Sequence, residues 1–309
     1  MRKIFIKTLI ELAEKDDKIF LLTGDLGSDF NEFATRFPGR FLNCGIAEQN
    51  MVGVAAGLAL CGKKPYVYSI IPFVAMRALE QIRNDVCYQN LNVKIIGMGA
   101  GFNYGPLGAT HHAIEDVAIL RALPNMTIIS PSDCLEIREL ILQSYKKAGP
   151  TYIRMSKLYM DQENILGNGE RIIELGRPLT VKEGQDGAII ASGDHVRICL
   201  NVAQKMKELG FNLKVVSLHT LKPINKNYLL KEIGSLKVVF TVEEHSLAGG
   251  LGSIILETTI ESGWQGQLKR IGIQDEHSFV VGSVDYLRKK HLIDEEEIIK
   301  SVLYLLKNN

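Results

Sequence analysis

The sequence has few of the residues that build disulfide scaffolds or metal sites. Its five cysteines are scattered along 309 residues and form no Cys-x-x-Cys pair. Unpaired, reduced thiols are typical of cytosolic proteins, whereas small secreted domains carry cysteines in dense frameworks. The spacing therefore argues against a disulfide framework and against a metal site, and it favours a cytoplasmic protein.

Charge of one sign and long apolar runs are lacking as well. The 36 basic and 35 acidic residues leave a formal net charge of +1, so no global field attracts nucleic acid or an anionic membrane. No apolar run reaches the roughly 20 residues that span a bilayer. Near the N-terminus, Lys7 interrupts the apolar residues and acidic residues follow, which predicts an amphipathic helix instead of a signal peptide. Neither nucleic acid nor a membrane is an expected partner, and any anion site must be local.

What the sequence does contain is an alternation of short β-branched runs with helical stretches. Hydrophobic residues make up 46% of the chain and charged residues 23%, a soluble globular composition. In the first half, the predicted strands are 19–23, 65–71, 93–98, 127–129 and 151–155. The predicted helices between them are 47–61, 76–87, 114–123 and 135–147. This order is typical of a parallel sheet covered by helices on both faces, in which ligands bind at the carboxyl ends of the strands.

A polar stretch at 161–170 interrupts this rhythm, and a second α/β unit follows it. Its predicted strands are 187–192, 213–217, 238–242 and 268–273. Its predicted helices are 196–209, 225–233, 250–262 and 295–306. The sequence thus predicts an α/β fold with two successive three-layer domains and mostly parallel sheets, at 1–165 and 181–309, with a linker at 166–180.

One carboxylate, Glu48, lies in a run of small, apolar and amide residues. It precedes a helix that we expect to be packed on most sides, with Gly53 and Gly57 allowing close approach of a neighbouring element. A helix N-terminus favours the charged form of an acid, whereas burial favours the neutral form, and an acid under both influences can exchange protons. A glutamate that only satisfies a helix end is the alternative.

Two further segments place aromatic and imidazole groups at strand ends. Phe73 follows the second strand and can stack on a flat heterocycle, although an isolated Phe is more often a core residue. After the third strand comes the glycine loop, residues 99–108, whose glycines allow the backbone to approach a ligand. His111 and His112 follow it. Adjacent histidines cannot readily chelate one metal ion, so a substrate-binding or proton-moving histidine is the better interpretation.

Basic and acidic residues follow two other strands. Arg154 and Lys157 are candidates for binding phosphate or carboxylate, and a solvated surface position is the alternative for Arg154. Residues 243–253 have the order strand, glycines, helix that is typical of a phosphate loop, but two acids precede the glycines and no basic residue accompanies them. A tight strand-to-helix turn at a subunit interface is the simpler interpretation.

Taken together, these segments resemble the C-terminal half of the transketolase family of thiamine diphosphate enzymes, over essentially the whole chain. The resemblance rests on residues 22–27, 45–51, 77–83, 110–112, 124–133 and 243–245. The Ile-Ala-Glu-Gln-Asn sequence at 46–50 is the most specific of them. The resemblance implies a pyrimidine-binding domain at 1–165 and a transketolase C-terminal domain at 181–309.

The resemblance also implies roles for individual residues. Glu48 matches the acid that hydrogen-bonds N1′ of the cofactor's aminopyrimidine and promotes deprotonation of the thiazolium C2. Asp25 and Leu26 match the turn that abuts the cofactor. His111 matches the histidine that contacts the donor sugar. Glu48 and His111 are the expected catalytic residues. The other candidates are Phe73, Ile71 and Arg77 for the cofactor and Arg154, Lys157 and Asn103 for the substrate.

The chain departs from the family at three places. Ile71 and Val74 stand where many members have paired aromatics, which leaves Phe73 as a shifted substitute. The glycine loop lacks the histidine and the Glu-Asp pair that transketolases use near sugar hydroxyls and phosphate. Lys157 stands where an arginine is common. The donor and acceptor sugars are therefore left open.

No Gly-Asp-Gly sequence occurs in the chain. In family members that act alone, this motif and a later asparagine hold Mg²⁺ and the diphosphate. The resemblance therefore implies that an N-terminal transketolase subunit supplies the Mg²⁺ ligands, in a heterotetramer of two such subunits and two copies of this chain, which would also self-associate as a dimer.

The expected function is transfer of a two-carbon ketol unit between small sugars or sugar phosphates. The alternative within thiamine diphosphate enzymes is a deoxyxylulose-phosphate-synthase-like or 2-oxo acid dehydrogenase beta-type subunit, whose donor is a 2-oxo acid. An alternative of another class is a non-catalytic subunit that stabilises or regulates its partner, and the retained Glu48 argues against it.

Overall fold

The computed structural model describes residues 1–26, 30–157 and 171–308. Its strands are β1 (Ile19–Thr23), β2 (Phe41–Asn43), β3 (Lys64–Ile70), β4 (Lys94–Met98), β5 (Thr127–Ile129), β6 (Thr151–Met155), β7 (Leu179–Lys182), β8 (Ala188–Ala191), β9 (Lys214–Ser217), β10 (Thr220–Lys222), β11 (Val238–Ser246) and β12 (Gln267–Ile273). Its helices are α1 (Arg2–Ala13), α2 (Asn31–Arg36), α3 (Glu48–Leu60), α4 (Leu79–Gln81), α5 (Asp116–Arg121), α6 (Cys134–Lys146), α7 (His195–Glu208), α8 (Lys226–Ile233), α9 (Leu251–Glu261), α10 (Val284–Lys290) and α11 (Glu295–Lys307). Two π-helical segments, Pro72–Arg77 and Ile82–Cys87, flank α4.

The strands form two sheets. The first has the order β10-β5-β6-β4-β3-β1-β2 and the second β12-β11-β8-β9-β7. Strand pairs are parallel except β10 with β5 and β7 with β9. These two sheets with their helices confirm the predicted α/β class with mostly parallel sheets. Because β10 comes from the second half of the chain, that half supplies the edge strand of the first sheet.

Apolar residues alternate between the two faces of the first sheet. Leu22 belongs to the cluster that includes residues of α3, and its neighbour Leu21 belongs to the cluster that includes residues of α1 and α6. This alternation follows from the two-residue period of a strand. A third cluster fills the second unit around β8, β11 and α7. The carboxyl ends of the central strands are thereby left as the edge where polar side chains collect.

The structure agrees with the predicted strands closely and with one predicted helix poorly. The strands expected at 19–23, 127–129 and 151–155 have these bounds, whereas the continuous helix expected at 76–87 is wrong, because two π-helical segments and one α-helical turn occupy residues 72–87. Residues 158–170, which include the start of the expected linker, lie outside the described ranges.

The expectation that α3 is packed on most sides is also wrong for the chain as described. Its buried residues, Glu48, Met51, Val52, Ala55 and Ala56, lie on one side of the helix. On the other side, Gly57 and Leu60 are exposed, and no described atom comes within 4 Å of a Cβ built on Gly53 or Gly57. A helix that is apolar all round therefore presents one uncovered face.

Neither a helix able to cross a bilayer nor a metal-binding cluster of side chains occurs in the described ranges. None of the helices there combines the length and the apolarity that a bilayer crossing requires. In the same ranges, no three His, Cys, Asp or Glu side chains are arranged to hold a metal ion.

Lys94 is a buried cation at the amino end of β4, and it is 1% exposed. Its Nζ donates to the carbonyl oxygens of Lys147 and Gly149, each at 3.0 Å, and to Thr151 Oγ1 at 3.3 Å. These acceptors are neutral, so they offset only part of the cost of burying the charge. Burial, with smaller contributions from Lys147 and Lys64, lowers the pKa of Lys94 to about 7.

We expect the free energy of unfolding to rise with pH between pH 7 and about 9. The upper limit is the ordinary pKa of a thiol, because Cys87 opposes the effect of Lys94 above it. The unfolded chain keeps the proton of Lys94 up to its ordinary pKa of 10.5, whereas the folded chain loses it above pH 7. Above this window Cys87 acts in the opposite direction, because burial raises the pKa of its thiol to about 11. Guanidinium unfolding at several pH values should show this slope in the wild type and in Lys146→Met, an exposed neighbour, but not in Lys94→Met. A slope that survives in Lys94→Met would contradict the assignment.

Candidate functional site

Glu48 is the first residue of α3 and lies at the carboxyl edge of the first sheet. It is 1% exposed. Its Oε1 accepts a hydrogen bond from Ser69 Oγ at 3.0 Å, and its Oε2 accepts one from Arg77 Nη1 at 2.6 Å. Ser69 lies near the end of β3, and Arg77 ends the first π-helical segment. Both carboxylate oxygens are thus fixed by donors from two other elements.

The chain after β1 approaches this carboxylate closely. A Cβ on Gly24 would come within 2.9 Å of Glu48 Oε1 and within 3.1 Å of Ser69 Oγ. Glycine is therefore the residue that leaves this space open. The next residue, Asp25, is exposed, has a φ of +54°, and donates its backbone N–H to Asn43 Oδ1 at 3.2 Å. Asp25 and the half-buried Leu26 therefore directly follow the residue that approaches Glu48, and their contact with a cofactor stays a prediction.

A row of aromatic and cationic groups extends from Glu48 toward the rim of the site. The guanidinium of Arg77 lies 4.5 Å from the centre of the Phe73 ring, and that ring lies 5.1 Å from His111. Next comes Tyr104, 6.1 Å from His111, and then Lys157, whose Nζ lies 4.7 Å from the Tyr104 ring. The structure thus brings the predicted residues Glu48, Arg77, Phe73, His111 and Lys157 together in one site.

Ile71 does not belong to this site. It is fully buried in the apolar cluster on the α3 side of the sheet, and its Cγ1 fills the space where a Cβ on Gly97 would lie. In this structure Ile71 therefore contacts core residues, and its contact with a cofactor stays a prediction.

Arg154 lies deeper than its sequence context predicts. It is 7% exposed, and its Nε donates to Asp116 Oδ2 at 2.9 Å. Its Nη2 donates to the carbonyl oxygens of Ala113 and Glu244 at 2.8 and 3.2 Å. The solvated-surface interpretation disagrees with this burial. The charge is already paired with a buried carboxylate, and anion binding by Arg154 stays a prediction.

The side chain of Asn103 also makes its hydrogen bonds within the protein. It is 6% exposed, and its Oδ1 accepts from Ser156 Oγ at 2.7 Å and from Lys157 N at 2.5 Å. Its Nδ2 donates to Asp194 Oδ2 at 3.3 Å. The amide of Asn103 therefore already has partners within the chain, and its contact with substrate stays a prediction. It links the glycine loop to the end of β6 and to the second unit.

In residues 243–253, the side chain of Glu243 occupies the position at which a phosphate loop would bind phosphate. The carboxylate of Glu243 accepts hydrogen bonds from Leu251 N at 2.6 Å and from Gly252 N at 2.8 Å, at the N-terminus of α9. Burial raises the pKa of Glu243 to about 7, although these two N–H groups oppose the shift. The geometry supports a tight strand-to-helix turn and disagrees with a phosphate loop.

Four polar residues around the site were not predicted from the sequence. They are Ser69, Asp116, Asp194 and Glu244. Ser69 carries the one usable signal, a hydroxyl near the carboxyl end of a buried strand. The other three act through partners at least 36 residues away in sequence, as in the contact of Asp116 with Tyr152. No local pattern marks such contacts.

Comparisons with known proteins agree with this architecture. The family model "Transketolase, pyrimidine binding domain" matches residues 1–161, and the model "Transketolase, C-terminal domain" matches residues 176–298. The first match covers all the residues of the site that surround Glu48. The second covers the strands and helices that contact the glycine loop.

Individual proteins show the same likeness. An apulose-4-phosphate transketolase subunit of Phocaeicola vulgatus is 36% identical over 308 residues, which are 99% of this chain and 97% of that protein. A solved structure of a split gene transketolase, an inactive beta4 tetramer, has a TM-score of 0.87 and 36% identity, covering 99% of this chain and 97% of that one. The 1-deoxy-D-xylulose-5-phosphate synthase of Halothermothrix orenii is 35% identical over 98% of this chain, which spans only 48% of that enzyme. This chain belongs to the transketolase family.

Proposed function

We propose that this chain is the pyrimidine-binding subunit of a thiamine diphosphate-dependent split transketolase. It would transfer a two-carbon ketol unit from a ketose donor to an aldehyde acceptor. The observation that carries the proposal is Glu48, a buried carboxylate at the carboxyl edge of a parallel sheet with a row of aromatic and cationic groups leading outward. Its family membership as a transketolase-type subunit supports a transferase.

The donors around Glu48 fit an aminopyrimidine ring. Oε1 is fixed by the buried Ser69, whereas Oε2 is paired with Arg77, whose side chain is 39% exposed. Because the Arg77 guanidinium is partly exposed, it can turn to solvent when a ring nitrogen takes its place, and the buried Oε2 then keeps a hydrogen-bond partner. Phe73 would lie against the ring, with Asp25 and Leu26 beside it. When bound, thiamine diphosphate supplies an electron sink for cleavage of a carbon–carbon bond.

In this proposal, one residue of the chain acts on the cofactor and two others contact the sugar. Glu48 holds and moves the proton at the pyrimidine N1′, which is the task of a buried acid within hydrogen-bond reach. His111 lies beside Phe73 and would contact the donor sugar. Lys157 lies at the rim and would favour a sugar that carries negative charge, such as a sugar phosphate. Asn103 and Arg154 have no direct role in this assignment.

We propose that a second subunit with a Gly-Asp-Gly motif supplies the Mg²⁺ and diphosphate sites. The uncovered face of α3 supports such a partner, since Ile46 beside it is 75% exposed and Leu42 is 46% exposed. The same face would serve self-association of this chain. The proposal includes the division into a pyrimidine-binding domain at 1–165, a linker at 166–180 and a C-terminal domain at 181–309, and it places the enzyme in the cytoplasm.

A 2-oxo acid donor is the second candidate function. It is favoured by the likeness to 1-deoxy-D-xylulose-5-phosphate synthase, which covers nearly the whole of this chain. In that case the same Glu48 site would act on a substrate that releases CO₂. The two candidates share the cofactor and differ in the donor.

Reconstitution tests the proposal. The chain is co-expressed with the subunit encoded by the adjacent open reading frame, and the complex is assayed for thiamine diphosphate binding by calorimetry and for turnover of ketoses and of pyruvate. We expect Mg²⁺-dependent cofactor binding and ketose turnover without CO₂ release from pyruvate. Release of CO₂ without ketose turnover would establish the second candidate, and no cofactor binding with a diphosphate-domain partner would overturn both.

A further inference from the structure

The second unit holds the glycine loop of the first unit in place through hydrogen bonds. Two acidic residues, Glu244 at the end of β11 and Asp194 directly before α7, reach across and accept hydrogen bonds from residues of this loop and of the segment after β6. Both acids are buried, with 6% and 7% exposure. Glu48 itself takes its hydrogen bonds from Ser69 and Arg77 of the first unit.

Glu244 fixes the backbone of the loop. Its Oε1 accepts from Phe102 N at 2.5 Å, and its Oε2 accepts from Arg288 Nε at 2.6 Å. Burial favours the neutral acid, but Arg288, His195 and the Phe102 N–H together hold the pKa of Glu244 below its usual range. A Cβ on Gly101 would lie 2.5 Å from Glu244 Oε1, so the loop and the carboxylate are in full contact. The ionised carboxylate thus satisfies two buried donors, each of which would be costly to leave without an acceptor.

Asp194 fixes the side chains at the next position. Its Oδ2 accepts from Asn103 Nδ2 at 3.3 Å and lies within hydrogen-bond distance of Ser156 Oγ. Ser156 Oγ also lies 2.7 Å from Asn103 Oδ1, so its one proton serves one of these two acceptors at a time, and Asn103 Oδ1 accepts from Lys157 N as well. The glycine loop and the segment after β6 therefore meet at one buried carboxyl group of the second unit.

Phe102 and Asn103, the loop residues that Glu244 and Asp194 bind, lie directly beside the substrate end of the proposed site. Tyr104 follows Asn103, and its ring covers Gly99, where a Cβ would come within 2.2 Å of it. The Tyr104 ring contacts both His111 and Lys157. A shift of the loop backbone at Phe102 and Asn103 would therefore displace the ring against which His111 and Lys157 rest.

We propose that Glu244 and Asp194 are positioning residues, through which the second unit sets the geometry of His111 and Lys157 by fixing residues 102–104 of the glycine loop. The proposal rests on the proposed function for its effect on substrate, but its structural part stands without it. It gives the second unit a task in the reaction even though the described hydrogen-bond donors to Glu48, Ser69 and Arg77, both belong to the first unit.

The test compares Glu244→Gln with Glu243→Gln. Glutamine keeps one acceptor oxygen, so each variant loses one of two buried hydrogen-bond acceptors, but Glu243 binds the N-terminus of α9 and does not contact the loop. NMR of the isolated chain records the His111 ring resonances, which sense the ring currents of Phe73 and Tyr104. In the reconstituted enzyme, KM and kcat for the ketose are measured. We expect Glu244→Gln to shift the His111 resonances and to raise KM about tenfold with kcat changed less than about twofold.

The control should lose thermal stability to a similar extent and leave the His111 resonances and KM unchanged. Equal effects of the two variants, or unshifted His111 resonances in folded Glu244→Gln, would overturn the proposal. Should Glu244→Gln fail to fold, Gly101→Ala replaces it, with Gly210→Ala as control. Both glycines have positive φ, 59° and 91°, but Gly210 has open space where Gly101 has Glu244. Absence of ketose turnover in the wild type refutes the proposed function alone, because the NMR comparison needs no substrate.

Discussion

Replacing Glu48 by Gln is expected to lower kcat of the reconstituted enzyme by about a thousandfold, the range that a positioned acid or base contributes. The amide keeps the size of the side chain and can still accept from Ser69. It cannot transfer a proton to a ring nitrogen, and it cannot form the ion pair with Arg77 seen at 2.6 Å. Steady-state turnover of the ketose measures the loss, and circular dichroism verifies that the variant is folded.

Two further variants separate chemistry from local disturbance. Glu80→Gln, an exposed glutamate of α4, should leave kcat unchanged. Gly24→Ala should lower kcat about tenfold or more with little change in melting temperature, because the added Cβ displaces the flexible end of Glu48, 2.9 Å away, and misplaces the reacting group. Full activity of Glu48→Gln would leave the chain with a non-catalytic role in its complex, the alternative class of function that its sequence allows.

The sequence could predict the fold class and the centre of the site because both depend on local patterns. Short β-branched runs separated by helical stretches determine a mostly parallel sheet, and the ends of parallel strands collect functional groups at one edge. Glu48 is visible as the one carboxylate in an otherwise apolar and amide-rich run. Phe73 and His111 follow strands and therefore lie at the same edge. Their contact at 5.1 Å is what this reasoning leads one to expect.

The remainder depends on contacts that sequence spacing does not encode. Arg154 and Asp116 are 38 residues apart, and Phe102 and Glu244 are 142 apart. An arginine after a strand has the same local pattern whether it faces solvent, a ligand or a buried carboxylate. The glycines of the loop likewise indicate a close approach without showing to what. At Gly101 it is a protein side chain, Glu244, and at Gly99 it is the ring of Tyr104.

Local patterns also do not show whether another molecule covers a face. The run that forms α3 has the composition of a helix buried all round, yet the described part of the chain leaves Gly57 and Leu60 exposed. Helices that pack against a second subunit have the same composition as core helices, since both lose water on that face. The pattern is therefore compatible with the proposed partner subunit.

Arg154→Met is expected to lower the free energy of unfolding by about 3 to 5 kcal/mol, because it leaves the carboxylate of Asp116 buried without its cation. Asp116 is fully buried and also accepts from Tyr152 Oη at 2.7 Å, a neutral donor that cannot replace the guanidinium. The Ala113 and Glu244 carbonyl oxygens lose a donor in addition. Guanidinium unfolding of the isolated chain measures the change.

The matched comparison is Arg138→Met, which removes an ion pair with Glu11 at 2.8 Å in which the two side chains are 39% and 34% exposed. Exposed pairs contribute less than about 1 kcal/mol, so Arg138→Met should change stability little. Asp116→Asn should be as costly as Arg154→Met, and the double variant should cost less than the sum of the two, because each substitution removes the charge that the other leaves unpaired. If Arg154 instead bound a substrate anion, its loss would leave stability near that of the wild type and would raise KM, and the two single effects would simply add. The double-mutant cycle of Arg154 and Asp116 therefore distinguishes a structural role of Arg154 in a buried ion pair from a role in binding a substrate anion. It needs unfolding measurements alone and no knowledge of the substrate.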